Sequence, residues 1–188
     1  MRKLNILFAL LFTICSIQAQ DVLTPELLWE MERVYSVHIS PDEKSAIFNS
    51  RTYDLEANKG KTVIKKLNLN TGESRVIIDG GDKSISQAVW RPDGKKIAFL
   101  KSGEVYEVNP DGSGEKKISN FDSDVANFAY APDMKHVSFT MDVKLDKTLQ
   151  EIYPDVPESE AMIIDDLMYR YWNDWNDEMY SHVHYSDY

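Results

Sequence analysis

Apolar and polar residues alternate with a period of two along most of this chain, and the departures from that rhythm carry as much information as the rhythm. The first departure is at the start. Residues 4–14 (LNILFALLFTI) are almost wholly apolar and follow Arg2 and Lys3. The run is well short of the roughly 20 apolar residues that cross a bilayer. A basic start, a short apolar run and a small residue before a polar stretch predict a secretory leader over 1–19, cut after Ala19 to leave Gln20 first. The second departure is TPELLWEMERV at 24–34, where Leu27, Leu28, Met31 and Val34 fall at helical spacing. Thr24 suits the N-cap, and Pro25 suits the first helical position, where its missing N–H costs nothing. A short helical segment within 20–34 is therefore expected, packing the N-terminus down.

From residue 35 the period is two, and it is organised by a turn unit seen three times. The copies begin Ser40-Pro41-Asp42, Arg91-Pro92-Asp93 and Ala131-Pro132-Asp133. Each has Lys three residues after Pro (Lys44, Lys95, Lys135) and Phe seven after (Phe48, Phe99, Phe139). Two before Pro stand Ile39, Trp90 and Tyr130; four before stand Val37, Ala88 and Phe128; five after stand Ala46, Ile97 and Val137. Pro pre-sets φ for a tight turn and Asp bonds back to the local backbone, so each unit reads strand, turn, strand with one apolar face. A second hairpin follows each of the first two units, at 62–78 around Asn70-Thr71-Gly72 and at 104–119 around Asp111-Gly112.

Four antiparallel strands per 40 to 51 residues are the signature of propeller blades. The expected fold is all-β: an incomplete β-propeller of four-stranded blades over 35–188, preceded by the short helix. Blade one spans about 35–80, blade two about 84–120, and blade three begins near 124. A polar loop at 52–61 accounts for the longer first unit. Blade three is interrupted by a long insertion, 141–180, after which residues 181–188 resume alternation as a strand still lacking its partner. Closed propellers typically need about four to eight blades, so the chain is expected to be part of a longer protein. A partial array leaves apolar faces and strand edges open, which predicts self-association into homo-oligomers.

Composition narrows the partners. The net charge is −10, with 21 basic and 31 acidic residues, and becomes −12 once Arg2 and Lys3 leave with the leader. A basic stripe for phosphates is missing, so nucleic acid is excluded as a partner, as is docking on anionic lipid. The single cysteine, Cys15, lies in the leader, and the preceding Phe12-Thr13-Ile14 is a poor lipidation signal. A mature chain without thiols, disulfides or stable membrane anchor is expected, exported and most simply periplasmic rather than secreted further or lipid-anchored.

The turn units resemble the repeats of TolB-type proteins and of the prolyl oligopeptidase family. Leu23-Thr24-Pro25-Glu26-Leu27 after a leader resembles the mature start of dipeptidyl peptidase V-type enzymes. Ile152-Tyr153-Pro154-Asp155, Asp166-Leu167-Met168-Tyr169-Arg170 and Trp172-x-x-Trp175 resemble the long third-blade insertion of the same enzymes. The resemblance implies a propeller that gates substrate for a serine peptidase releasing dipeptides from peptide N-termini. The catalytic α/β-hydrolase domain of that family carries a Gly-x-Ser-x-Gly elbow, and no such pattern occurs in this sequence. No catalytic residue is therefore carried over, and the chain by itself is expected to be inactive. The alternative is a non-catalytic exported propeller that binds a protein or ligand partner.

Candidate chemistry is sparse. His38 and His136 lie on strands of different blades, and His182 and His184 share one strand face without an evident third ligand, so strand surface is expected rather than a metal site. No metal and no cofactor are predicted. The acids Asp165, Asp166, Asp174, Asp177 and Glu178 lack the spacing of a calcium loop and read as a solvated face. From the resemblance, a peptide's free α-ammonium needs an anion beside an aromatic wall. Asp174 between Trp172 and Trp175 has that chemistry, with Tyr169 and Arg170 beside it, and these five are the candidate substrate-binding residues.

Overall fold

The structure, a computed structural model, describes residues 23–121, 123–165, 167, 170–175 and 178–188. The expected leader, residues 1–19, lies outside them. Helix α1 covers Pro25–Glu30, with the Thr24 hydroxyl accepting from the Leu27 N–H at 3.2 Å. It is shorter than the apolar spacing suggests. Met31 turns extended (φ −67°, ψ 131°), and Arg33 and Val34 leave the expected helix for strand β1, where they face Arg51 and Ser50. Ladder bonds to a neighbouring strand win over the last helical turn, which would have had no buried face. The helix is pinned by aromatic contacts instead: Trp29 meets Tyr53 edge-on at 5.3 Å, and the Arg33 guanidinium lies 4.9 Å and 4.5 Å from the two ring centres.

Three antiparallel sheets follow. Sheet one has the order β1 (Arg33–Ile39), β2 (Ser45–Asp54), β3 (Lys59–Asn68), β4 (Ser74–Asp79). Sheet two repeats it with β5 (Ile85–Trp90), β6 (Ile97–Lys101), β7 (Glu104–Val108) and the two-residue β8 (Lys116–Lys117). Sheet three begins with β9 (Ala126–Tyr130) and β10 (His136–Lys144). After the small ribbon β11 (Arg170–Tyr171) and β12 (Asp174–Trp175), it is completed by β13 (Met179–Asp187) in the order β13-β10-β9. The closing strand is paired along its whole length with β10, from Lys144↔Met179 to His136↔Asp187. The hairpin therefore extends further than the sequence suggests, and the insertion proper is confined to 145–178.

The three turns share their hydrogen bonds. Each Asp accepts the backbone N–H two residues on, at Lys44 (3.2 Å), Lys95 (3.0 Å) and Lys135 (3.0 Å). A second repeated feature is invisible to simple alternation. Five residues before each Pro, the inner strand bulges at Ser36 (φ 53°), Gln87 (φ 50°) and Asn127 (φ 53°), and the pairing register slips there in all three sheets.

The sheets stack face to face. Ile47, Ile64, Ile77 and Ile78 of sheet one meet Ile85, Ala88, Ile97, Phe99 and Val108 of sheet two. On its other face sheet two offers Ala98, Leu100 and Val105 to Phe128, Val137 and Phe139 of sheet three and to Val125. The central strand β6 is thus apolar on both sides, with Ile97 to Leu100 all buried. This is the stacking of propeller blades, two four-stranded and one three-stranded among the described residues, in an all-β partial propeller with few helices.

Candidate functional site

The segment 145–178 emerges from the long β10–β13 hairpin. Its first element is the single-turn helix α2 (Leu149–Ile152), set by a capping box in which Thr148 and Glu151 satisfy each other's backbone N–H groups. Lys144 adds a 2.6 Å ion pair to Glu151, which ties the helix to the end of β10. The ribbon β11–β12 comes later. Its register sets Arg170 opposite Trp175 and Tyr171 opposite Asp174, with Trp172 in the connecting turn at φ 56°.

The ribbon brings four of the five candidate residues together in the backbone, and Tyr169 lies outside the described residues. The Arg170 guanidinium lies 4.8 Å from the centre of the Trp175 ring, so a cation of the chain itself occupies one aromatic face. Trp172 is 89 % exposed and stands at the tip of the ribbon. Asp174 is held in β12 by its place opposite Tyr171.

A cavity of about 590 Å³ lies between α2, the stretch 160–165 and the insertion end of the β10–β13 hairpin. Its wall mixes apolar Ile152, Met162 and Ile164 with the carboxylates of Asp146, Glu160 and Glu178. Asp146 accepts a hydrogen bond from the Tyr180 hydroxyl at 2.5 Å. Alternation along the strands pointed to none of this, because Asp146, Glu160 and Glu178 come from three separate stretches that meet only when the hairpin folds back. Lys147 also lines the wall, so carboxylates, a cation and apolar side chains share it.

The histidines occupy strand positions. His184 stacks on Phe139 with ring centres 5.7 Å apart, and His136 lies between Asp133 (3.4 Å) and Asp187 (3.5 Å). Among the described residues no three His, Cys, Asp or Glu side chains are grouped to hold a metal. No described helix is long and apolar enough to cross a membrane.

Stacked antiparallel blades with bulged inner strands, and an elaborated third-blade hairpin, define the chain as a β-propeller segment. Sequence comparison gives its kinship. Dipeptidyl-peptidase 5 of Porphyromonas gingivalis is 35% identical over 157 residues, covering 81% of this chain and 23% of that protein. Dipeptidyl-peptidase 5 of Porphyromonas endodontalis is 29% identical over 159 residues, covering 82% of this chain and 23% of the relative. No family model matches the sequence. Among solved structures, the Pyrococcus horikoshii acylaminoacyl peptidase shares the fold at a TM-score of 0.63 and 15% identity, over 85% of this chain and 24% of that one. The AtxE2 isopeptidase shares it at 0.53 and 16% identity, over 63% of this chain and 23% of that one. The chain is a propeller segment similar in sequence to these dipeptidyl-peptidase 5 proteins, and it spans about a quarter of the length of the relatives it matches.

Proposed function

We propose that this chain is the substrate-gating propeller portion of an exported serine dipeptidyl peptidase that releases dipeptides from peptide N-termini. The observation that carries the reading is the 35% identity to a dipeptidyl-peptidase 5 across 81% of the chain. The role belongs to the insertion 145–178, which rises from the third blade and offers both carboxylates and aromatic surface. In this reading Asp174 pairs with the free α-ammonium of the substrate, with Trp172, Trp175 and Arg170 on the same ribbon and Tyr169 next to Arg170 in sequence. Export rests on the leader at 1–19, and the periplasm is the compartment it serves. The cleavage chemistry is supplied by a hydrolase domain, since the sequence carries no nucleophile elbow.

A chimera tests this. Residues 23–188 replace the matched region of the Porphyromonas gingivalis relative, and dipeptide release is assayed from peptides with free and acetylated N-termini. The chimera should release dipeptides from free N-termini only, and Asp174→Asn should raise KM at least tenfold with kcat little changed, the loss expected for one charge-assisted contact. A folded chimera without activity would overturn the gating role. An active chimera indifferent to Asp174→Asn would remove that residue from it.

A further inference from the structure

Strand β7 reads Glu-Val-Tyr-Glu-Val, and both its faces are covered by neighbouring blades. Tyr106 and Val108 face blade one, while Val105 faces blade three among apolar side chains. Glu107 stands in the row of Val105 and is only 6% exposed. A carboxylate there costs several kcal/mol unless it is paired. Its partners are all supplied at the blade two–blade three joint. Its Oε1 accepts from the Tyr188 hydroxyl at 2.6 Å and from the Tyr130 hydroxyl. The Arg91 Nη1 lies 3.6 Å away and donates to the Tyr188 hydroxyl oxygen at 2.9 Å. Arg91 is itself fixed by a two-point fork on Asp93, both bonds 2.9 Å. The Tyr130 and Tyr188 rings meet edge-on at 5.4 Å.

Three parts of the fold converge on this one oxygen. Arg91 leads the Pro-Asp turn of blade two, Tyr130 ends the inner strand of blade three, and Tyr188 follows β13. Among the described residues β13 pairs with β10, so Tyr188 continues directly from the hairpin that carries the insertion. We infer that Glu107 is a positioning residue, which pins the insertion-bearing hairpin β10–β13 to blade two through the hydroxyls of Tyr188 and Tyr130. The hairpin is long and its insertion sits at the far end, so a small rotation at Tyr188 is carried along the strands to residues 145–178. The same oxygen sets the angle between the blades and the pose of the insertion.

Amide hydrogen exchange of the full chain, followed by mass spectrometry without any substrate, tests the pin. Glu107→Leu should speed exchange in 179–187 about tenfold while 45–54 of blade one changes less than about threefold. Glu107→Gln keeps an oxygen that accepts both hydroxyls, and should stay within about threefold of the parent throughout. Tyr188→Phe removes one hydroxyl and should speed exchange about threefold in 179–187 alone. Unchanged exchange in 179–187 for Glu107→Leu overturns the inference. So does equal acceleration in blade one, which would mean general loss of stability, or a Gln variant as damaged as Leu. Should Glu107→Leu fail to fold, Tyr188→Phe decides: acceleration confined to 179–187 supports the pin and no change overturns it.

Discussion

The side-chain amide of Gln87 pairs with the backbone of Phe128 in both directions. Its Nε2 donates to the Phe128 carbonyl at 3.3 Å, and the Phe128 N–H donates to its Oε1 at 3.0 Å. Gln87 sits on the bulge of β5, and Phe128 directly follows the bulge of β9. Inner strands of adjacent blades belong to separate sheets and share no ladder. One side chain here does what a pair of peptide groups does within a sheet. Gln87→Ala leaves two backbone groups at the joint without partners and should lower unfolding free energy by about 1–3 kcal/mol in urea titrations.

The repeated Phe residues point toward the preceding blade, so their burial differs. Phe99 and Phe139 are buried to 1% and 3% exposure, whereas Phe48 on β2 is half-buried. Phe99→Ala should cost about 3–5 kcal/mol, and Phe48→Ala in the same chain clearly less. Paired denaturation curves check the order, and equal costs would contradict the assigned faces.

Gly112 joins blade two to blade one through its missing side chain. At φ +91° an added Cβ would lie 2.1 Å from the Ile77 carbonyl oxygen. Gly72, at φ +75°, has nothing within 4 Å of the same position. Gly112→Ala should therefore cost about 3 kcal/mol or more, and Gly72→Ala about 1 kcal/mol, the backbone penalty alone. Thermal unfolding of the two variants separates clash from conformation.

Acid should loosen the chain in a defined sense. Asp93 is held below its usual carboxylate range by the Arg91 fork, and Glu104 by Lys117 and the Ser119 hydroxyl. Glu32 is lowered by Lys65 and Asp79 by Lys61. Folded values below unfolded ones mean that this stability is present above the ordinary values of 3.8 and 4.5 and is lost as pH falls through the depressed ones. Lys117 works at the other end. Glu104 raises it above 10.5, so its share is complete below that pH and lost as pH rises through the raised value. Unfolding midpoints should be flat through neutrality and decline below about pH 4.5. Replacing Asp93 with Asn should blunt the acid limb.

Much of the fold was legible because its signals are local. A Pro-Asp turn is set by Pro41, Pro92 and Pro132 and by carboxylates reaching two residues along the chain. Apolar residues at fixed offsets from those turns became the blade faces, since side chains two apart on a strand must share a side. The helix was legible only in part. Its Thr24 cap is a local bond, but its end was decided by the edge of β2 drawing Arg33 into a ladder.

The sequence by itself determined the blades, their order and their kinship. Period-two patterning and turn chemistry act over a few residues and need no distant partner. Only the tertiary structure decided which side chains meet: Gln87 with Phe128, Glu107 with Tyr130 and Tyr188, and Asp146 with Glu160 and Glu178 around one cavity. Those meetings join residues 23 to 81 positions apart in the two clamps, and 14 to 32 in the cavity. No period records them, because they are fixed by how twisted sheets stack and by where a hairpin folds back.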